Sequence, residues 1–188
     1  MVSNAYATNV QQSVDAAGGP DNPLGSALSK AAGIPTAVWI DEMATLPKMR
    51  AALKQAQAQQ RATGTDVLCV FVVYNLPGRD CSAASSAGEL ATGQLDRYES
   101  EFIGGIASLA MEYEDVRKVF LLEPDSLPNV VTNMNRPRCT AAASEYTNGI
   151  ALAIRHLGPL GAIYIDAGWS GWIGSWSAAR MAQVMAQV

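Results

Sequence analysis

The sequence lacks the marks of several protein classes. No stretch of its 188 residues approaches the roughly 20 consecutive apolar residues that cross a bilayer, so we expect no membrane segment. Lysine and arginine do not cluster and the formal net charge is −4, which argues against a nucleic-acid partner. No Gly-X-Gly-X-X-Gly or Walker pattern follows a strand-like run, and no Ser-His-Asp set or Gly-X-Ser-X-Gly elbow can be assembled. Nucleotide binding and serine-hydrolase chemistry therefore have no support.

Histidine and cysteine are scarce as well. The single histidine, His156, falls late in a helix-like segment, where we expect it at the surface without a catalytic role. Of the three cysteines, Cys69 lies inside an apolar run and is predicted to be buried. Cys81 and Cys139 lie in polar loop contexts, which favours a disulfide, although three free thiols in a cytosolic protein remain the alternative. The first ten residues do not resemble a secretory leader, so an intracellular protein and a mature secreted form are both compatible with the sequence.

Continuous apolar runs alternate with segments of helical periodicity. The runs are continuous rather than alternating, as in strands that are covered on both faces. Between them, apolar residues recur at spacings of three and four, and two segments stop at a glycine. The predicted strands are residues 36–40, 67–74, 119–122 and 162–165, and the predicted helices are 46–64, 94–113 and 141–158.

The resulting βαβαβαβ order predicts one α/β domain with parallel strands. Right-handed crossovers would build either an open doubly wound sheet or a (β/α) barrel. The first 30 residues are predicted to form a helix, a loop and a second short helix that cover the bottom or side of the sheet. The chain ends in the start of an amphipathic helix, over residues 177–188.

Acidic residues follow all four predicted strands. In parallel α/β folds the carboxyl ends of the strands meet at the ligand crevice, so these carboxylates should be neighbours. Crowded carboxylates raise the pKa of at least one of their number, and a protonated acid beside ionised ones is what glycosidic bond cleavage requires. The residues are Asp41 and Glu42, Asp80, Glu123 and Asp125, and Asp166.

Two other interpretations of the acidic residues stay open. A single acidic residue after a strand is often only a helix N-cap. Clustered Asp and Glu can also hold Mg²⁺ or Ca²⁺. Aromatic residues at the same strand ends favour a sugar instead, because flat apolar rings suit the C–H faces of pyranoses and contribute little to holding a hard cation. These are Trp39, Tyr74, Trp169, Trp172 and Trp176.

Three motifs in this order resemble glycoside hydrolase family 6, the inverting cellobiohydrolases and endoglucanases that cut β-1,4-glucan. They are "VVYNLPGRDC", "LLEPDSLPNVVTN" and "YIDAGWSGW", and "VWIDEM" before them fits the same pattern. The resemblance covers residues 30 to 176 and is weaker before them. It implies a distorted parallel (β/α) barrel, here a partial one with about four strands and flanking helices. No cofactor or metal is implied.

The resemblance assigns roles to the residues of the second and third motifs. Asp125 matches the general acid that protonates the departing oxygen. Asp80 matches the second carboxylate, which raises the pKa of the acid and takes part in a proton relay, and Arg79 would keep Asp80 ionised through a charge-assisted pair. Tyr74 matches the tyrosine beneath the distorted sugar, and Ser86 a serine that positions the hydrolytic water.

The remaining assignments concern substrate binding and secretion. Trp39 and Trp172 resemble aromatic platforms on the two sides of the cut, and Asp166 matches the acidic residue beside the acid. Asp41, Trp169 and Trp176 complete the expected binding set, although Trp169 stands where the family usually has histidine. The family also joins the equivalents of Cys81 and Cys139 by a disulfide, which implies an extracellular enzyme.

The family's domain is about twice as long as this chain. We therefore interpret residues 1–188 as a single domain of the family that matches about its first half, and expect unpaired edges at the first and last strands. The chain would be a truncated form, or two copies would associate to close the barrel. Three functions follow: a β-1,4-glucanase acting on cellulose or cello-oligosaccharides, a glucan-binding remnant without turnover, and a metal-dependent α/β enzyme.

Overall fold

A computed structural model of the protein describes residues 1–83 and 85–188 and builds them around a sheet of four parallel strands. The strands pair in chain order, β1 with β2, β2 with β3 and β3 with β4. Each overlaps the apolar run predicted for it, and the third begins two residues earlier than predicted. They are β1 (Val38–Ile40), β2 (Leu68–Val73), β3 (Arg117–Leu122) and β4 (Ala162–Ile165).

Helices fill every crossover, as the periodicity predicted. The first crossover is α3 (Leu46–Thr63). The second is a continuous helical stretch of α4 (Leu95–Arg97), a π-helical turn (Tyr98–Ile103) and α5 (Gly104–Glu112). The third contains α6 (Ser126–Thr132) and α7 (Pro137–Leu157), of which α6 was not predicted. Outside the crossovers lie α1 (Asn4–Ala16), α2 (Pro23–Ser29), α8 (Ala178–Met185) and 3₁₀ turns at Lys30–Gly33, Met43–Thr45 and Gly158–Leu160.

The two predicted glycine stops behave differently. Gly64 ends α3 in the left-handed conformation, with φ of 65°, and its N–H donates to the carbonyl of Gln60 at 2.8 Å. Gly158 keeps a right-handed conformation and leads from α7 directly into the last 3₁₀ turn. The position of the second stop was therefore right, but its mechanism was not a left-handed cap.

The strand order favours a barrel over a doubly wound sheet. A doubly wound sheet reverses its strand order at a switch point, whereas these strands follow one another without reversal. Same-handed crossovers in that order place the connecting helices on one face of the sheet. Side chains on that face form much of the core; Ile40, Phe71, Val73, Phe120 and Leu122 are fully buried there.

The opposite face of the sheet is uncovered at its two edge strands, while Val72 between them is only 3% exposed. Trp39, Val72, Leu121 and Tyr164 are paired in register and form one row across this face. Trp39 is 49% exposed and Tyr164 61% exposed, although both side chains would be interior in a closed barrel. The described residues therefore form an open segment of a parallel barrel, as predicted.

The two chain ends pack at opposite edges of the sheet. The amino group of Met1 donates to the carbonyl of Leu68 at 3.0 Å, which places α1 near the amino end of β2. At the carboxyl edge, α8 packs against α6 and buries Met181 and Val184. None of the helices in the described part of the chain is long and apolar enough to cross a membrane.

Candidate active site

Three acidic residues at the carboxyl edge of the sheet have a left-handed backbone. Asp80 has φ of 56°, Glu123 of 49° and Asp125 of 68°, and they are the non-glycine residues with positive φ in the described chain. This conformation costs an L-residue about 1–2 kcal/mol, and such strain concentrates at functional sites. The edge that the sequence singled out by its acids is therefore also where the backbone is strained.

Asp80 lies at the centre of a small hydrogen-bonded cluster after β2. Its Oδ2 accepts from the Tyr74 hydroxyl at 3.2 Å and from the Ser86 hydroxyl. Burial, and then the charge of Asp80, raise the pKa of Tyr74, so the phenol keeps its proton and remains a donor. The structure thus brings Tyr74, Asp80 and Ser86 together, as the motifs predicted.

The expected ion pair between Arg79 and Asp80 is wrong. The guanidinium is 7% exposed and donates to the main chain: Nη1 to the carbonyls of Asp41 (2.7 Å) and Tyr74 (2.6 Å), and Nε to that of Ser86 (3.1 Å). It also lies 4.4 Å from the centroid of the Tyr74 ring. Because its hydrogen bonds go to these carbonyls, Arg79 binds the loops around the site rather than the carboxylate of Asp80.

Asp125 stands at the helix N-cap position of α6 but does not cap it. Its carboxyl makes no hydrogen bond to the first turn, which removes the simplest structural explanation for an acid at this position. Burial, the charge of Asp166 and the charge of Asp80 together raise the pKa of Asp125 above its ordinary value. Asp125 is therefore held toward its protonated form, and it lies on the same side of the sheet as Asp80.

Asp166 joins the ends of β3 and β4. Its Oδ2 accepts from the backbone N–H of Asp125 at 2.8 Å and from that of Gly168 at 3.2 Å. Gly168 has φ of 76°, and a Cβ at this position would contact Pro128 and Ile173 at 3.1 Å. A glycine is thus required where the loop after β4 turns back over α6.

The loop after β4 presents three indoles in different ways. Trp172 is partly buried and its Nε1 donates to the hydroxyl of Thr132 at 2.8 Å. Trp169 and Trp176 are 69% and 77% exposed. The Trp169 ring lies against Gly171, where an added Cβ would fall 1.8 Å from the ring. The indole therefore lies close to the backbone at Gly171, while the residue remains largely open to solvent.

Trp39 and Asp41 approach the same edge from β1. The Trp39 ring meets that of Tyr74 edge to face, with centroids 5.6 Å apart. Asp41 accepts from Arg79 through its carbonyl, and its N–H donates to the Thr45 hydroxyl at 3.1 Å. Its buried Oδ1 has no hydrogen-bond partner among the described residues. These positions agree with the assigned binding roles, which stay predictions.

The disulfide between Cys81 and Cys139 is present, with a Cα–Cα distance of 4.9 Å, and Cys69 is a buried free thiol. The alternative of three free thiols is therefore wrong. The bridge ties the loop that carries Asp80 to α7. From α7, the Tyr146 hydroxyl accepts from the N–H of Cys81 at 3.2 Å and donates to the carbonyl of Gly78 at 2.7 Å.

Glu123 was noticed in the sequence but received no role. It is 1% exposed, and its carboxylate accepts from the N–H groups of Asn75 (3.1 Å) and Leu76 (3.2 Å) and from the Tyr98 hydroxyl (2.8 Å). Burial raises the pKa of Glu123 to about 7, against these hydrogen bonds and the charge of Arg79, which lower it. Its position at the end of an apolar run was the available signal.

Glu89 is a second carboxylate that sequence reasoning missed. Its Oε1 accepts from the Asn75 amide at 2.8 Å and from the N–H of Met43 at 2.7 Å. It thereby joins the loops that follow β1 and β2. Its position within a long loop gave no signal, because the partners come from distant parts of the chain.

The other two groups considered from the sequence lie outside this arrangement. His156 is at the exposed end of α7, where its Nε2 is 2.9 Å from Oε1 of Glu99, as expected of a surface residue. The described residues contain no group of three or more His, Cys, Asp or Glu that could hold a metal ion.

A parallel barrel segment with an acid of raised pKa, a neighbouring carboxylate and exposed indoles at its strand ends is an arrangement typical of glycoside hydrolases. The sequence profile of "Glycosyl hydrolases family 6" matches residues 1–188. The chain belongs to this family.

Relatives with this family's names are similar over most of the chain. "Exoglucanase A" of Cellulomonas fimi is 40% identical, over 92% of this chain and 22% of its own length. "1,4-beta-D-glucan cellobiohydrolase CEL6C" of Podospora anserina is 41% identical, over 84% of this chain and 38% of its own. A solved structure, "CcCel6A catalytic domain complexed with p-nitrophenyl beta-D-cellotrioside", is 38% identical with a TM-score of 0.93, and the match covers 99% of this chain. The chain spans 52% of that solved chain.

Proposed function

We propose that these residues form the acid side of a site that hydrolyses β-1,4-glucosidic bonds in cellulose or related β-glucans, with inversion at the anomeric carbon. The observation that carries the proposal is Asp125, whose pKa is raised by burial and by two neighbouring carboxylates and whose side chain does not cap a helix. Relatives named exoglucanase and cellobiohydrolase, and a solved relative in complex with a cellotrioside, support the substrate class.

In the proposed reaction Asp125 donates its proton to the glycosidic oxygen. The bond from this oxygen to the anomeric carbon breaks, and the leaving sugar departs with the new hydroxyl group. A raised pKa favours this step because the group must still hold its proton near neutral pH. The ionised form of Asp80 would stabilise the positive charge that develops on the sugar ring.

A water molecule completes the reaction from the opposite face of the sugar. It forms the new bond to the anomeric carbon, and its proton leaves through the Ser86 hydroxyl toward Asp80. The hydrogen bond from Ser86 to Asp80 supports this route, because it connects a possible water-binding hydroxyl to a carboxylate that can take up the proton.

Aromatic side chains would hold the glucan on both sides of the cut. Trp39 and Tyr74 would bind the sugar on the non-reducing side, where their rings meet edge to face. Trp172 would bind the leaving group, with Trp169 and Trp176 extending the surface. Asp166 would orient the acid through its hydrogen bond to the backbone of Asp125, and Asp41 would contact a sugar hydroxyl.

We also propose that the enzyme is secreted. The disulfide between Cys81 and Cys139 supports this, because such bonds form and persist in oxidising environments. The bond joins one loop of the site to a helix 58 residues further along the chain, as expected of a structural disulfide.

The exposed inner face supports self-association as a further proposal. Two copies of the chain would cover the exposed apolar surface around Tyr164 against each other. Light scattering of the wild type should give the mass of a dimer, and Tyr164→Glu should give that of a monomer. Met111→Glu, at an exposed apolar residue of α5, is the matched control and should leave the dimer intact. A monodisperse wild-type monomer would refute the association.

A reducing-sugar assay on soluble cellulose and mixed-linkage glucan tests the catalytic proposal. Asp125→Asn should lower kcat at least about a hundredfold with little change in oligosaccharide affinity, because proton donation matters only in the transition state. Asp21→Asn is the control; it changes an exposed acid far from Asp125 in sequence and should leave kcat unchanged. Equal activity of Asp125→Asn and wild type would refute the role of Asp125.

Together with a measurement of cello-oligosaccharide binding, the same assay separates catalysis from binding alone. If the wild type binds cello-oligosaccharides but releases no sugar, the chain is a glucan-binding segment whose turnover requires more of the barrel. Loss of activity on adding a chelator, restored by a divalent cation, would instead support the metal-dependent alternative.

A further inference from the structure

We propose that Arg79 and Glu123 act together as positioning residues, by holding the peptide group between Tyr74 and Asn75 from its two ends. Neither residue needs to touch the substrate for this role. The inference rests on the proposed function, because it concerns how the catalytic carboxylates are held in place.

The two charged groups bind the two ends of one peptide. Arg79 Nη1 donates to the carbonyl oxygen of Tyr74 at 2.6 Å. The N–H of the same peptide, that of Asn75, donates to both carboxylate oxygens of Glu123 at 3.1 Å. A guanidinium lies at the negative end of the peptide dipole and a carboxyl group accepts at its positive end, so each side chain stabilises the orientation that the other requires.

Both side chains are buried and therefore need hydrogen-bond partners. Arg79 is 7% exposed and Glu123 1% exposed, and no ion pair joins either to another side chain in the described residues. A buried charge is costly unless hydrogen bonds satisfy it. Arg79 meets this requirement through three carbonyls, and Glu123 through two N–H groups and the Tyr98 hydroxyl.

The held peptide is connected to both catalytic carboxylates. It follows directly on Tyr74, whose hydroxyl donates to Asp80, so its orientation sets the direction from which the phenol reaches that carboxylate. Glu123 is two residues before Asp125, and its own N–H donates to the carbonyl of Val73 at 2.8 Å. The pair therefore fixes the end of β2 relative to the residue that supplies the acid.

Backbone hydrogen exchange followed by NMR tests the proposal without relying on turnover. In Glu123→Gln, the amides of Asn75 and Leu76 should exchange about tenfold faster or more, because the amide side chain cannot accept from every donor that faces it. Arg79→Lys should accelerate exchange of the Asn75 amide, since an ammonium does not reproduce the planar donor set. Tyr98→Phe is a milder variant that should give a smaller acceleration at the same two amides.

Glu101→Gln and Arg97→Lys are the controls. They alter an exposed ion pair in the helical stretch between β2 and β3 and should leave the two amides protected. Unchanged exchange at Asn75 and Leu76 in Glu123→Gln would overturn the proposal. Equal acceleration throughout β2 and β3 would also overturn it, because that result indicates general destabilisation.

Steady-state kinetics on soluble β-glucan adds the catalytic readout. In an active wild type, Glu123→Gln and Arg79→Lys should each lower kcat by about tenfold or more with little change in KM, and the double variant should lose much less than the product of the two. Unchanged kcat in both variants would refute the positioning role. An inactive wild type would count against the proposed function, while the exchange data would still decide whether the pair holds the peptide.

Discussion

Removing the disulfide should destabilise the protein strongly, and the size of the effect follows from its place in the chain. The bond joins Cys81 to Cys139 across a sequence separation of 58 residues. Loop-closure entropy for a loop of this length corresponds to about 4 kcal/mol at 25 °C. For a chain of 188 residues the entropy of unfolding is about 0.4 kcal/mol/K, so the melting temperature should fall by about 10 °C.

Urea denaturation of the double variant Cys81→Ala/Cys139→Ala and of the wild type measures the free energy of unfolding that the disulfide contributes. Cys69→Ala is the control, because it removes a buried thiol that forms no bridge and should cost about 1 kcal/mol. If the free energy of unfolding falls no more in the double variant than in the control, the argument from loop-closure entropy is wrong. Activity should fall together with stability even at temperatures where the variant is folded, because Cys81 directly follows Asp80.

Two further predictions concern the acid and the exposed indole. If Asp125 donates its proton as proposed, Asp166→Asn should move the alkaline limb of kcat/KM to lower pH, because the charge of Asp166 raises the pKa of Asp125; an unmoved limb would contradict this coupling. Gly171→Ala should displace the Trp169 ring and weaken cello-oligosaccharide binding about three- to tenfold, measured by calorimetry. Trp169→Ala should weaken oligosaccharide binding equally, and adding Gly171→Ala to it should have no further effect. Gly33→Ala is the control; it has open space around it and should leave binding unchanged.

The sheet and its crossovers were predictable because their signals are local. Four apolar runs became four strands, and periodic segments became helices, because burial leaves a direct trace in the residue pattern. The prediction that the strands are covered on both faces was wrong for the described residues, because Trp39 and Tyr164 are exposed on the face opposite the helices. The short helix α6 was missed because its seven residues include a proline and complete few hydrogen-bonded turns. The choice between a barrel and a doubly wound sheet needed the strand order, which spacing does not determine.

The residues of the site were more predictable than the hydrogen bonds between them. The motifs brought Tyr74, Asp80 and Ser86 together correctly. They failed for Arg79, because adjacency in sequence suggested a pair with Asp80, whereas the guanidinium donates to three main-chain carbonyls. They gave no role to Glu123, whose donors come from residues 47 and 48 positions earlier in the chain and from Tyr98. Contacts of that range are fixed by strand register, which becomes visible only when the sheet is assembled.

The left-handed acidic residues have a consequence for engineering. At Asp125 the side chain makes no cap hydrogen bond and the backbone is left-handed, so glycine would suit this position better. A search for stabilising substitutions ranked by melting temperature would therefore favour Asp125→Gly. At Asp80 and Glu123 the hydrogen bonds that each carboxyl accepts oppose the same change. Because Asp125 is the proposed acid, thermal screening of this protein should be paired with an activity screen from the first round.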